Sequence, residues 1–249
     1  MQENKYDDPV FFEKYSQMDR SRRGLAGAGE WETLQAMLPD FRGKRVLDLG
    51  CGYGWHCLYA AEHGAASVVG VDLSKKMLHV AQSKTHSDKI EYLCSSIEAV
   101  SFPPHSFDIV LSSLALHYVA DYDGLLARIS QWLEDDGKVI FTVEHPVFTA
   151  QGPQDWVRDS AGNILYFPVD NYFFEGKRNA VFLGEPVVKY HRTLATYLRG
   201  LLAHGFQISD VAEPQPSDAL LRENPAMQDE LRRPMMLIIS AVKVPPLTR

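Results

Sequence analysis

The chain is poor in cysteine. Its 249 residues include only Cys51, Cys57 and Cys94. They form no CxxC pair and no run with histidine at metal-ligand spacing, so neither a disulfide framework nor a metal site is expected. An odd, sparse count suits a reducing compartment. Long apolar runs are also missing. The longest, at residues 237–242, is far too short to span a bilayer. The opening MQENKYDDPV lacks the apolar stretch of a secretory signal. A cytoplasmic protein without a membrane partner is expected. Basic charge is scarce too: 25 Lys and Arg stand against 32 Asp and Glu, a formal charge of −7. That balance argues against a phosphate-backbone partner, so no nucleic acid is expected. There is no internal repeat and no low-complexity tract.

What remains is an ordinary globular composition, 45% hydrophobic and 23% charged. Short apolar runs alternate with helical patterns. VLDLG (46–50), SVVGVD (67–72), IEYLCSS (90–96), FDIVLSS (107–113) and KVIFTVEH (138–145) read as strands. Most are nearly continuous in apolar character, as parallel strands covered on both faces are. Ser74 is placed to cap a helix carrying Met77, Leu78 and Ala81. After Asp121 a helical face collects Leu125, Ile129, Trp132 and Leu133, and Gly137 is expected to end that helix. A further helix is expected from Thr193 to Gly205, then strands FQISDVAE (206–213) and MMLIISAVKV (235–244). Pro214, Pro216 and Pro225 leave room for only a short crossover helix or none, so these last strands are expected to be antiparallel.

Two regions stand outside this alternation. Residues 1–29 are polar and aromatic, then glycine-rich at GLAGAG (24–29), which suggests a lid with a hinge at Gly24, Gly27 and Gly29. Residues 146–192 form a long insert rich in aromatic side chains, which argues against disorder. A small β element is expected there, serving as a roof or as a homodimer contact. The organisation read from the sequence is therefore a lid at 1–29 and one domain at 30–249, with the insert 146–192 over the acceptor pocket.

The sharpest signal is VLDLGCGYGWH, Val46 to His56. An apolar strand runs into Gly50, Gly52 and Gly54, and a helix pattern begins at once. Glycine permits the tight turn and close ligand approach, and the helix start presents free N–H groups. VVGVD then places Asp72 at the end of the second strand, 72 − 50 = 22 residues on, near the roughly 20 expected of a ribose-gripping carboxylate. A dinucleotide fingerprint would require glycine where Trp55 stands. Asp48 before the turn would repel a pyrophosphate but attract an ammonium group.

DLGCGYG resembles motif I of the class I S-adenosylmethionine-dependent methyltransferases, and VDLS (71–74) resembles their acidic motif. SSIEAVSF (95–102), SFDIVLSSLALHYV (106–119) and LEDDGKVIFTVEH (133–145) are similar to their later motifs. Within that superfamily the chain is most similar to the small-molecule methyltransferases related to the ubiquinone and menaquinone biosynthesis enzymes. The resemblance implies a Rossmann-like, doubly wound α/β fold with a mostly parallel seven-stranded sheet and an antiparallel C-terminal strand. It implies S-adenosylmethionine as cofactor, with S-adenosylhomocysteine as product. Gly50, Cys51 and Gly52 would wrap the methionine part, with Asp48 beside them. Asp72 would hold the ribose, Leu73 and Met77 would flank the adenine, and Ser96 and Ile97 would lie at its edge. Leu114 would line the methionine side, and Tyr15 and Arg20 would reach the methionine carboxylate. Many relatives carry Asp where Ser96 stands.

For the acceptor, candidates lie at the carboxyl ends of the strands. Glu144, His145 and His191 are candidate acid–base groups. Arg192 could hold an acceptor carboxylate or phosphate, and Tyr172 and His117 could line the pocket. The expected reaction is in-line methyl transfer to a small-molecule acceptor. A nucleic-acid methyltransferase and a non-catalytic cofactor-binding protein are the alternatives. The segment SSLAL (112–116) stands where base-methylating enzymes carry an NPPY-like motif. The sequence does not specify the atom methylated.

Overall fold

The computed structural model describes residues 4–244. Residues 1–3 of the expected lid and 245–249 of the expected domain lie outside the described residues. Three short helices come first: α1 (Pro9–Ser16), α2 (Asp19–Arg22) and α3 (Trp31–Met37). Asp8 caps α1 by accepting from the N–H groups of Val10 and Phe11, with Pro9 in the first turn.

The expected alternation follows: β1 (Arg45–Leu49), α4 (Trp55–Glu62), β2 (Ser67–Asp72), α5 (Lys75–Lys84), β3 (Ile90–Cys94), β4 (Phe107–Ser113), α6 (Tyr122–Trp132) and β5 (Leu133–Glu144). The insert holds α7 (Pro146–Thr149) and two hairpins, β6 (Val157–Arg158) with β7 (Ile164–Tyr166), and β8 (Gly176–Phe182) with β9 (Glu185–His191). The chain ends on α8 (Leu194–Ala203), β10 (Phe206–Ala212), α9 (Asp218–Glu223) and β11 (Met236–Lys243).

Seven strands form one sheet in the order β10-β11-β5-β4-β1-β2-β3. β11 runs antiparallel to both neighbours, and the remaining pairs are parallel. Consecutive residues of β1 feed opposite faces. Leu47 and Leu49 join the core under α6 and α8, while Val46 joins the core under α3 and α4. Burying each such side chain contributes roughly 1.5–3 kcal/mol. Strand order reverses between β1 and β4, and open α/β sheets bind ligands at such a switch point.

The largest departure from the expected boundaries lies between α6 and β5. Gly137 does not end α6. The helix stops at Trp132, and Leu133 already belongs to β5, pairing with Phe107. Leu133 keeps its core position because the strand buries it as fully as a helix would.

A third, smaller cluster lies apart from the two sheet cores. Phe11 of α1 packs with Ala180 and Val187 of the β8–β9 hairpin. Lys14 reaches Glu185 at 3.0 Å on the same contact. The N-terminal segment and the hairpin therefore share a core of their own.

Candidate active site

The turn after β1 is built around backbone geometry that favours glycine. Gly50, Gly52 and Gly54 have φ values of +78°, +53° and +73°. A Cβ at Gly50 would lie 2.3 Å from Ala115 Cβ, and one at Gly54 would lie 2.3 Å from the Tyr92 hydroxyl. The N–H groups of Gly50 and Cys51 both donate to Val71 O, at 2.8 and 3.0 Å. The Gly52 N–H donates to Asp72 Oδ2 at 2.9 Å, and the Ser74 N–H to Asp72 Oδ1 at 2.8 Å. Asp72 is thus oriented by one bond to each oxygen, and each oxygen keeps a lone pair for a further donor. Burial pushes its pKa up, and these two N–H bonds pull against that rise.

Behind the turn, Asp48 is buried. Its Oδ2 accepts from the Cys57 thiol at 3.3 Å, while Oδ1 has no partner. Burial raises its pKa from 3.8 to about 7. Cys51 and Cys57 lie beside it, and burial pushes both thiols up. Buried, protonated thiols are poor nucleophiles.

Gly50, Cys51 and Gly52 share a cleft with Tyr15, Arg20, Ser21 and Trp55. The Trp55 indole N–H is buried without a partner. Arg20 grips both oxygens of buried Glu30, at 3.0 and 2.8 Å. Tyr15 and Tyr53, which line the cleft, meet at 5.9 Å, and the Tyr6 ring meets Tyr15 at 5.3 Å and Tyr118 at 6.4 Å. Gly24 and Gly27 do not form a free hinge. A Cβ at Gly24 would press on the Trp55 ring at 3.1 Å, and one at Gly27 would strike the Asp19 carbonyl at 2.3 Å. They are glycines because the backbone packs closely there.

Around the second strand end, Met77 is buried, and its Cε would lie 3.3 Å from a Cβ placed on Gly52. Ile97 lies beside Gly50. Ser96 Oγ accepts from the Ala99 N–H at 3.1 Å and caps the turn that follows β3. The Leu73 carbonyl accepts from the Asn4 side chain at 3.3 Å. Leu114, just past β4, has φ +52°, a costly conformation for leucine. Its N–H is held by Thr142 O at 2.9 Å.

The acceptor candidates fare differently. His191 is completely engaged: Nδ1 meets the Thr149 hydroxyl at 2.8 Å and Nε2 donates to the Tyr172 carbonyl at 2.8 Å. His145 Nδ1 accepts from the Val147 N–H at 3.0 Å, which caps α7, and Nε2 faces Glu213 at 2.8 Å in poor alignment. His117 Nδ1 accepts from the Glu144 N–H at 3.3 Å, and burial lowers its pKa to about 4. In His145 and His117 an N–H occupies the Nδ1 lone pair, which assigns the neutral ring's proton to Nε2. Burial lowers the pKa of all three histidines. Each ring is therefore a donor, and none offers a free lone pair to a proton.

Glu144 is likewise committed. Oε1 accepts from Lys189 Nζ at 2.5 Å and Oε2 from Gln154 at 2.7 Å, and Gln154 accepts from Lys189 at 2.9 Å. Burial pushes its pKa up, but the neighbouring His117 and Lys189 outweigh burial and hold it below the usual range. In this arrangement the acid–base candidates His145, His191 and Glu144 fasten the insert to the end of β5. Arg192 is likewise engaged within the fold. It is buried, donates to the carbonyls of Val119 and Ala120, and lies 5.2 Å from the Tyr122 ring centre. Tyr172 accepts from the Leu194 N–H at 3.1 Å and packs on His191, so it braces the start of α8.

A methyltransferase domain model matches residues 47–141. Two solved structures match most of the chain. An S-adenosylmethionine dependent methyltransferase from Listeria monocytogenes is 55% identical, covers 89% of this chain and 100% of its own, and superposes with a TM-score of 0.85. Another from Mesorhizobium loti is 43% identical over 88% of this chain and 100% of its own, with a TM-score of 0.82. The chain belongs to the class I S-adenosylmethionine-dependent methyltransferases. The ubiquinone biosynthesis O-methyltransferase of Neisseria meningitidis is 33% identical over 129 residues, 46% of this chain and 54% of that protein. This methyltransferase therefore spans about half the length of that relative. No helix among its described residues is long and apolar enough to cross a membrane.

Sequence reasoning missed Tyr6, Tyr118, Trp55 and Lys189 as members of the site. Tyr6 and Trp55 stood in segments already singled out. Lys189 carried no signal, since a buried lysine looks like a surface one until its partner is placed.

Proposed function

We propose that this methyltransferase acts on a small-molecule acceptor, bound between the carboxyl edge of the sheet and a cover made of two parts. The described part of the N-terminal segment, residues 4–29, is the lid, and the insert 146–192, with its β8–β9 hairpin, is the roof. The observation that carries the reading is closure. Tyr6 packs edge-on against both Tyr118 and Tyr15, which lines the cleft, and α1 seals against the hairpin through Phe11. A duplex or a folded protein cannot pass beneath such a cover, whereas a small molecule can. The net charge of −7 agrees with this. So does the partial similarity to an enzyme named for ubiquinone biosynthesis. A homodimer contact is a second role proposed for the insert, because Phe173 and Phe174 are 86% and 73% exposed on it.

The residues present fit the cofactor. The turn at Gly50 and Gly52 leaves room that side chains would fill, and the Trp55 N–H is unpartnered in the same cleft. In the proposed site Gly50, Cys51 and Gly52 cradle the methionine part and Asp72 accepts from the ribose hydroxyls. Leu73, Met77, Ser96 and Ile97 surround the adenine, and Leu114 lines the methionine side. Arg20, steered by Glu30, turns its remaining N–H groups toward the methionine carboxylate. When bound, the cofactor supplies a sulfonium methyl group open to in-line displacement. The chain's part is to align the acceptor and exclude water, which is worth roughly 7–11 kcal/mol in well-oriented reactions. His117, held neutral with its Nδ1 accepting from the Glu144 N–H, cannot take an acceptor's proton.

The test uses S-adenosylmethionine with a labelled methyl group. A deproteinised metabolite extract, total RNA, genomic DNA and a protein extract are supplied separately. Label is expected in the metabolite fraction alone. Label in RNA, DNA or protein, with none in metabolites, would overturn the small-molecule reading.

A further inference from the structure

The lid touches the ribose-binding strand end directly, through Asp7. Its Oδ1 accepts from the Ser74 hydroxyl at 2.6 Å and from the Lys76 N–H at 3.1 Å. Its Oδ2 accepts from the Asn4 amide at 2.7 Å and, more distantly, faces the Lys75 N–H at 3.4 Å. Burial pushes the Asp7 pKa up, yet these bonds outweigh it and hold the carboxyl below its usual value, so it is ionised near neutral pH.

Helix α5 does not need Asp7 as a cap. Ser74 already fills that place, accepting from the Met77 N–H at 3.1 Å. The carboxylate instead comes from a remote segment and fastens on the hydroxyl of the capping residue. Ser74 thereby joins two acids. Its N–H orients Asp72, and its hydroxyl holds Asp7. Asn4 adds a bond to the carbonyl of Leu73, between Asp72 and Ser74.

The rest of the lid follows Asp7 rigidly. Tyr6 and Tyr15 pack on each other, Phe11 shares a core with Ala180 and Val187, and Lys14 pairs with Glu185. The lid thus packs on a hairpin that Lys189 and His191 fasten to the end of β5 and to α7. Between the lid and the 73–76 turn stands a charge-assisted contact, beside the ring contacts of Tyr6 with Tyr118 and Phe12 with Tyr53.

Resting on the lid and ribose roles read above, we propose that Asp7 is a positioning residue for turnover, a latch that holds the lid on the turn bearing Asp72. A ligand that orders Asp72 also orders Ser74 and tightens the latch. By linkage, the closed latch raises that ligand's affinity, and because the closed lid covers the ligand, its opening gates departure. Release of S-adenosylhomocysteine then waits on opening of the Asp7–Ser74 contact, and release steps of this kind often set kcat.

The test is stopped-flow displacement of S-adenosylhomocysteine from the full-length protein, read by intrinsic tryptophan fluorescence because Trp55 lines the cleft. Asp7→Ala is expected to raise the dissociation rate constant about tenfold, with Asp7→Asn, which keeps the shape and loses the charge, in between. The association rate should rise as well, so the equilibrium affinity falls by less than the dissociation rate rises. Asp121→Ala, which removes the side-chain cap of α6, is the control and should leave both rates unchanged. Rates within twofold of wild type in both folded Asp7 variants would overturn the latch, as would an equal acceleration in Asp121→Ala. If Asp7→Ala does not fold, Asp7→Asn decides alone. Wild-type protein that binds no S-adenosylhomocysteine would overturn the cofactor site itself, an outcome distinct from unaltered release rates.

Discussion

Gly50→Ala should weaken cofactor binding about 100-fold while the sheet still folds. The backbone at this position has φ +78°, where an L side chain costs about 1–2 kcal/mol. The added methyl would also fall 2.3 Å from Ala115 Cβ, so the turn or the segment after β4 must move. Either movement disturbs the N–H groups of Gly50, Cys51 and Gly52, which are now set by Val71 O and Asp72. A loss of about 100-fold in affinity for S-adenosylhomocysteine is expected, equivalent to roughly 3 kcal/mol. Gly43→Ala separates strain from site. Gly43 has φ +71° with open space around it, so it should show the strain cost alone and bind normally. Titration calorimetry on both variants checks this, and threefold or weaker loss in Gly50→Ala would contradict it.

Asp48→Asn should change how stability depends on pH. The folded pKa is raised by burial from 3.8 to about 7, so the fold favours the protonated acid. The stabilisation is fully present below the unfolded pKa and disappears as pH rises through the folded one. Across that window of 7 − 3.8 = 3.2 units, at about 1.4 kcal/mol per unit, the wild type loses about 4 kcal/mol from this group. About 3 kcal/mol of that loss falls between pH 5 and pH 8. Asparagine cannot ionise and keeps an oxygen for the Cys57 thiol. Urea unfolding at pH 5 and pH 8 should show the wild type losing stability relative to the variant at the higher pH. Parallel profiles for the two proteins would show that Asp48 does not titrate in this range.

The parts of the site that the sequence made legible are those where backbone dictates residue type. Three glycines with positive φ after an apolar strand, and an acid at the end of the next strand, are local requirements that few residues satisfy. The strand cores were readable for the same reason: β2 and β4 have the bounds their apolar runs suggest. The β5 boundary was not readable, because Leu133 suits the core from a helix or a strand alike. The acceptor side was illegible for a different reason. His145, His191, Glu144 and Arg192 look like chemistry in a list of residues, but His145 accepts from Val147 two residues on, and the partners of the other three come from distant segments. Thr149, Tyr172, Lys189 and Val119 absorb their hydrogen-bonding capacity only once the insert has folded back. Asp7 is the converse case. In the sequence it precedes the Asp8–Pro9 cap of α1 and looks like ordinary helix-start chemistry, and its bond to Ser74 spans 67 residues.

The most direct test of the account is a calorimetric titration of the wild type and Asp72→Ala with S-adenosylmethionine and S-adenosylhomocysteine, with NAD as control. Micromolar binding of both adenosyl compounds to the wild type, at least about 100-fold weaker in Asp72→Ala and absent for NAD, is the predicted result. A folded, ligand-free wild type that binds neither adenosyl compound, or an Asp72→Ala variant that binds them as tightly as wild type, would contradict it.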